Sequence, residues 1–148
     1  MHYLAVMSGE LVAALKRRAL SMLRSAKLRI QWGDYDLACF DAEQALQLYL
    51  KAVLLELFGE KIRVHGLIEH LSLLRKRLRD AVLMEEAEKI STIVRMYRPI
   101  LDLLDDAYVE ARYGSSTLFT EQDAVRAVQV VEEIIRELSD IVARVRGG

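Results

Sequence analysis

A helix drawn through residues 35–58, YDLACFDAEQALQLYLKAVLLELF, carries apolar side chains on nearly every side. Leu37, Phe40, Ala45, Leu46, Leu48, Tyr49, Leu50, Val53, Leu54, Leu55, Leu57 and Phe58 leave no continuous polar face. An ordinary surface helix buries a single stripe, so a helix apolar all round must be packed on several sides or shared with another subunit. The rest of the chain offers only helices for that packing. Its lone proline is Pro99, and its seven glycines stand near the termini or at 33, 59, 66 and 114. Between these breakers run long segments rich in Leu, Ala, Glu, Arg and Lys, the good helix formers. No segment alternates with a period of two and β-branched enrichment. The fold class is all-α, an antiparallel bundle of about five helices.

The 148 residues suit one domain, 1–148, with 1–7 expected as a flexible or loosely packed N-terminus. The first helix should run from Ser8, a good N-cap, to Gln31, burying Leu11, Leu15, Met22, Leu23, Ala26 and Ile30. Gly33 ends it. Asp34 should cap the second helix, which continues to Phe58 with Gly59 as its left-handed terminator. A third helix is expected from Gly66 to Leu78, and a fourth from Asp80 to Arg112 with a kink or break near 96–98 ahead of Pro99. Thr120 and Asp123 form a capping box for the last helix, whose Ala124, Val128, Val131, Ile135, Leu138, Val142 and Val145 read as a bundle stripe.

Composition excludes several classes. Hydrophobic residues make up 53%, which is incompatible with disorder. No run without a charged residue exceeds the nine of Met1–Gly9, where a membrane span needs about 20. A basic region followed by an apolar core is missing at the N-terminus, so a cytoplasmic protein is expected. The single cysteine, Cys39, lies on the second-helix pattern and reads as a small buried filler. Net charge is −1 but segregated: residues 1–79 hold 13 basic and 8 acidic groups, and residues 80–148 hold 8 and 14. Such asymmetry serves a phosphate backbone or an acidic partner, or else merely solvates helix faces. The basic groups lack interleaved aromatics in sequence, so general nucleic-acid binding is weakly signalled.

On the second helix Asp41, Gln44 and Lys51 share a face at offsets of three and seven, with Glu43 and Gln47 in a row beside it. The plain reading is a solvent-facing stripe. The functional one is a groove where Gln44 meets a base edge and Lys51 a phosphate. Arg63 and His70 satisfy the spacing R-x6-H, and His65 and His70 lie about 140° apart on a helix, so they do not converge on one ligand. The acids Asp102, Asp105, Asp106 and Glu110 form a row that reads as a solvated face or a contact to basic groups. No phosphate-binding glycine loop, Cys/His metal cluster, nucleophile elbow or paired Glu-x-x-His is present, so no cofactor or metal is expected.

Ala42-Glu43-Gln44-Ala45, Leu50-Lys51-Ala52, Gly59, His65-Gly66-Leu67 and Arg112-Tyr113 follow one another in an order that resembles the HEPN domain family. These are small helical domains of toxin–antitoxin and RNA-processing systems, and the resemblance runs from about residue 10 to the last helix. It implies a module that binds a nucleotide or RNA, pairs as a homodimer, and acts with a separate minimal nucleotidyltransferase. Gln44, Lys51, His65, Arg112 and Tyr113 are then the ligand-binding candidates, with Arg112 held favourably at a helix C-terminus and Tyr113 offering a stacking face. Many members of that family are metal-independent ribonucleases using R-x4–6-H late in the domain. This chain has no histidine after Arg112, so catalysis is not expected. A ribonuclease toxin with a non-standard site and a pure protein-interaction subunit stand as alternatives. The apolar surface of the second and last helices is the physical ground for expecting a homodimer.

Overall fold

The computed structural model describes residues 2–63, 66–113 and 119–147, and their side chains apart from those of 2–7, 112 and 113. Five helices make up the fold: α1 (His2–Gln31), α2 (Tyr35–Phe58), α3 (Leu67–Asp80), α4 (Met84–Tyr113) and α5 (Glu121–Gly147). No strand occurs among the described residues. None of the helices is long and apolar enough to cross a membrane.

α2 is the axis of the bundle and touches each of the other four helices. Side-chain pairs fix the directions. Lys16–Glu56 and Arg29–Asp41 run α1 antiparallel to α2, while Tyr35–Glu121 and Arg146–Glu56 run α5 parallel to it. Phe40 stacks on Tyr108 and Glu43 faces Asp105, so α4 passes antiparallel to α2 on another side. Ala38, Cys39, Ala42, Leu46, Leu50, Val53 and Leu54 are consequently fully buried, and the α5 stripe Ala124, Val131, Ile134 and Leu138 closes over them. Each large buried side chain contributes about 1.5–3 kcal/mol, and α3 and α4 add Leu67, Leu71, Leu74, Leu78, Ile90, Ile93, Leu101 and Leu104 to this core.

The covering of α2 narrows the apolar ground on which a homodimer is expected. Most of the apolar surface of α2, like that of α5, is taken up within one chain. The large apolar side chains left exposed include Leu37 of α2 and Val125 of α5, and Leu20, Leu28 and Trp32 along the outside of α1 and just past its end.

Several boundaries also differ from expectation. α1 begins at His2, so Ser8 lies within the helix and caps nothing. Asp34 takes the N-cap position of α2 without a side-chain capping bond. Gly59 ends α2 at φ 67°, as a left-handed terminator should. The chain turns at 81–83, so α4 starts at Met84 rather than near Asp80. α4 then continues through Pro99 without a break. Pro99 is exposed, so water can serve the Arg95 carbonyl that loses its helical donor. The capping box is present, with Asp123 N–H donating to Thr120 Oγ1 at 3.1 Å and Thr120 N–H to Asp123 Oδ2 at 2.9 Å.

Candidate functional site

Where α4 crosses α2, the all-apolar axis is interrupted by polar side chains. Phe40 on α2 and Tyr108 on α4 stack with centroids 6.3 Å apart and planes 14° from parallel. Helical periodicity sets Glu43, Gln44, Gln47 and Lys51 on the same side of α2 as Phe40. Glu43 is 0% exposed, and its two carboxylate oxygens accept hydrogen bonds from Gln44 Nε2 at 2.7 Å and Gln47 Nε2 at 2.9 Å. Burial pushes the Glu43 carboxyl up to about 7, against the lowering effect of those two bonds and of Lys51, while Asp105 across the seam raises it further.

Asp105 projects from α4 to the start of α3, where its Oδ1 accepts the Leu67 N–H at 2.9 Å. It acts as an N-cap supplied from another helix, because the local cap residue is Gly66, which has no side chain to offer. Burial raises the Asp105 carboxyl, the Leu67 bond lowers it, and neighbouring Asp102, Asp106 and Glu69 raise it again.

Gln44 and Lys51 are half-buried and share the α2 face at this seam. Asp41, expected beside them, turns instead to α1, where its Oδ2 accepts from Arg29 Nε at 2.9 Å and Ser25 Oγ at 2.6 Å. With Glu43 and Gln47 buried as well, the row is no solvent-facing stripe. His65 and the side chains of Arg112 and Tyr113 lie outside the described residues. The register of α4 sets position 112 four residues beyond Tyr108 and seven beyond Asp105, on their face of the helix.

His70 is fully buried in α3, with Nδ1 2.7 Å from the Gly66 carbonyl oxygen, which fixes the proton on that nitrogen. Arg63 is exposed, so the R-x6-H spacing joins no common site. Asp105 separates from the acidic row as a cap, whereas Asp102 and Asp106 remain exposed. No group of residues able to hold a metal ion occurs among the described residues. Cys39 is fully buried, and burial, with Asp123 and Asp36, pushes its thiol up to about 12, which leaves it unreactive.

Sequence reasoning missed Asp105 and the Phe40–Tyr108 pair. The signal for Asp105 was present: Gly66 cannot cap α3 with a side chain, so an acid had to come from elsewhere. A cavity of about 590 Å³ lies apart from the seam, between Ile100 of α4 and the first turns of α5. Glu121, Asp123 and Arg126 line it, a mixed set with one more acid than base. The seam can bind through Lys51, amide groups and aromatic faces. Among the described residues of the seam, the group pushed up to about 7, Glu43, has no exposed surface to offer a substrate.

A family model described as HEPN domain matches residues 12–141. The fold is similar to the crystal structure of TT1696 from Thermus thermophilus, with a TM-score of 0.64 and 24% identity over 88% of this chain and 97% of that chain. No curated protein matches the sequence significantly.

Proposed function

The chain belongs to the HEPN domain family, and from that premise we propose that it is a non-catalytic nucleotide- or RNA-binding module acting with a separate minimal nucleotidyltransferase, in a toxin–antitoxin-like pair. The observation that carries this reading is the α2–α4 seam. Lys51 and Gln44 share one half-buried face there, beside the Phe40–Tyr108 stack. Burial pushes the Glu43 carboxyl up to about 7, so the seam holds less negative charge than its acids would suggest. Lys51 then supplies a point charge for a phosphate, Gln44 both donor and acceptor for a base edge, and position 112 a second cation. His65 and Tyr113 complete the set as contacts from the two adjoining segments.

A labelled mononucleotide and a short labelled RNA, titrated at fixed salt against wild type, Lys51→Ala and Arg112→Ala, test the site. Each substitution is expected to weaken binding about tenfold, the loss of one charge-assisted hydrogen bond. Both variants binding as tightly as wild type while still folded would mean that the seam is the wrong site. The partner half of the reading expects a short nucleotidyltransferase reading frame beside this one, whose product co-purifies with the chain. Self-association as a homodimer belongs to the same reading.

A further inference from the structure

The outside of α1 carries a second surface. Arg17, Arg18, Arg24, Leu28 and Trp32 fall within about 120° of arc, because Trp32 still follows the helical ladder. Its N–H donates to the Leu28 carbonyl at 3.2 Å. Trp32 is 65% exposed, Leu28 is 48% exposed, and all three arginines are exposed. Arg24 donates to Ser21 Oγ, and none of the three arginines has an ion-pair partner among the described residues. The other cations of α1 are already engaged: Lys16 with Glu56, Lys27 with Glu132 and Arg29 with Asp41. Glu10 is the one acid of α1. The sequence shows no aromatic among these basic residues. The fold supplies one, by setting the residue that ends α1 in line with them.

We infer that this stripe is a binding surface for single-stranded RNA, with the arginines on phosphates and the Trp32 ring stacked on a base. The inference rests on the nucleic-acid reading above and adds to it a site on a different face of α2's surroundings, since α1 and α4 pack on separate sides of α2. Three features favour this occupant. Unpaired guanidinium groups call for an anion that binds them in a fork. An exposed indole beside them suits an anion with flat faces. A second copy docked α1 against α1 would set these arginines against each other, and a membrane surface would need a broad apolar face where Arg17 and Arg24 stand.

Trp32 is the single tryptophan of the chain, so its emission reports this surface alone. The test titrates wild type, Trp32→Phe, Arg17→Ala/Arg24→Ala and Lys51→Ala with a labelled twelve-nucleotide oligoadenylate, by anisotropy and by tryptophan fluorescence, over a range of salt. All of the α1 changes are at exposed positions, and circular dichroism checks that each variant folds. Expected are quenching of Trp32 on binding and about tenfold weaker binding of the double arginine variant. Its log–log salt dependence should be flatter by about 1.4, two phosphate contacts on a single strand.

RNA binding that is lost in Lys51→Ala but leaves Trp32 emission and the arginine variant unchanged overturns this inference and leaves the seam intact. Binding that depends on the arginines and quenches Trp32 but ignores Lys51→Ala sustains it and removes the seam. Three further results overturn it: oligoglutamate competing as well as RNA, a blue shift of Trp32 on concentrating the protein alone, and a blue shift on anionic vesicles without quenching by RNA. They assign the stripe to an acidic protein, a second copy or a membrane respectively.

Discussion

Glu43 has no exposed surface and a carboxyl pushed up to about 7. In the unfolded chain the same group titrates near 4.5. Between these values the folded state holds a proton that the unfolded state has lost, so folding stability falls as pH rises through the window. The contribution is neutral below about 4.5 and fully unfavourable above about 7, by roughly 3 kcal/mol at 1.36 kcal/mol per unit. Glu56 runs the other way. Burial would raise it, but hydrogen bonds from Lys16 and Arg146 outweigh burial and lower it, so its stabilisation is lost as pH falls through its folded value. The Glu43 effect is therefore read against a variant and not from the wild-type slope. Glu43→Gln keeps the shape without the charge, and its amide can still pair once a neighbouring glutamine flips. Its advantage over wild type in urea denaturation should grow from about zero at pH 4.5 to about 2–3 kcal/mol at pH 7.5. A difference that stays constant with pH would show that Glu43 ionises in the fold without cost.

At the scale of elements, what could be read from the sequence depended on whether the chain signalled its own breaks. α2 was legible throughout, because its apolar residues demanded burial on every side and Gly59 marked its end. The capping box at Thr120 and Asp123 was equally plain. The α3–α4 junction was not, because the residue at its turn is the wrong type for a turn. Leu83 N–H donates to the Leu78 carbonyl at 2.8 Å and Val82 N–H to the Arg79 carbonyl at 2.9 Å, a Schellman ending whose left-handed position usually belongs to glycine. Val82 occupies it at φ 63° and is 79% exposed. A β-branched residue is costly there, so the sequence reads as continuous helix from Asp80. Val82→Gly should accordingly raise stability by about 0.5–1 kcal/mol despite the added freedom of the unfolded chain, seen as a higher urea midpoint at unchanged slope. The candidate site was legible in part for a similar reason. The shared face of Gln44 and Lys51 follows from helical spacing alone. The turning of Asp41 toward Arg29, the capping role of Asp105 and the alignment of Trp32 with the α1 arginines depend on which helices become neighbours.

At the scale of the molecule, the described groups with acid–base chemistry, His70 and Glu43, are drawn inward while cations of α1 are left outside. His70 is fully buried and its Nδ1 is committed to the Gly66 carbonyl. Glu43 has the pKa of a general base, yet both of its oxygens accept bonds from glutamines and none of its surface is open. Cleavage of RNA requires such a group within hydrogen-bond reach of the 2′-hydroxyl. It also requires a cation on the phosphate as charge develops. This fold exposes cations on α1, among them Arg17, Arg18 and Arg24, without setting a neutral-range base beside them. The isolated chain is therefore expected to hold RNA without cutting it. Incubation of a labelled single-stranded RNA with the purified protein in chelator, resolved on a denaturing gel, should return intact strand over hours. Cleavage at defined positions that survives the chelator and vanishes in Arg112→Ala would overturn the non-catalytic reading, and would make position 112, on the face of α4 that carries Asp105 and Tyr108, part of a working active site.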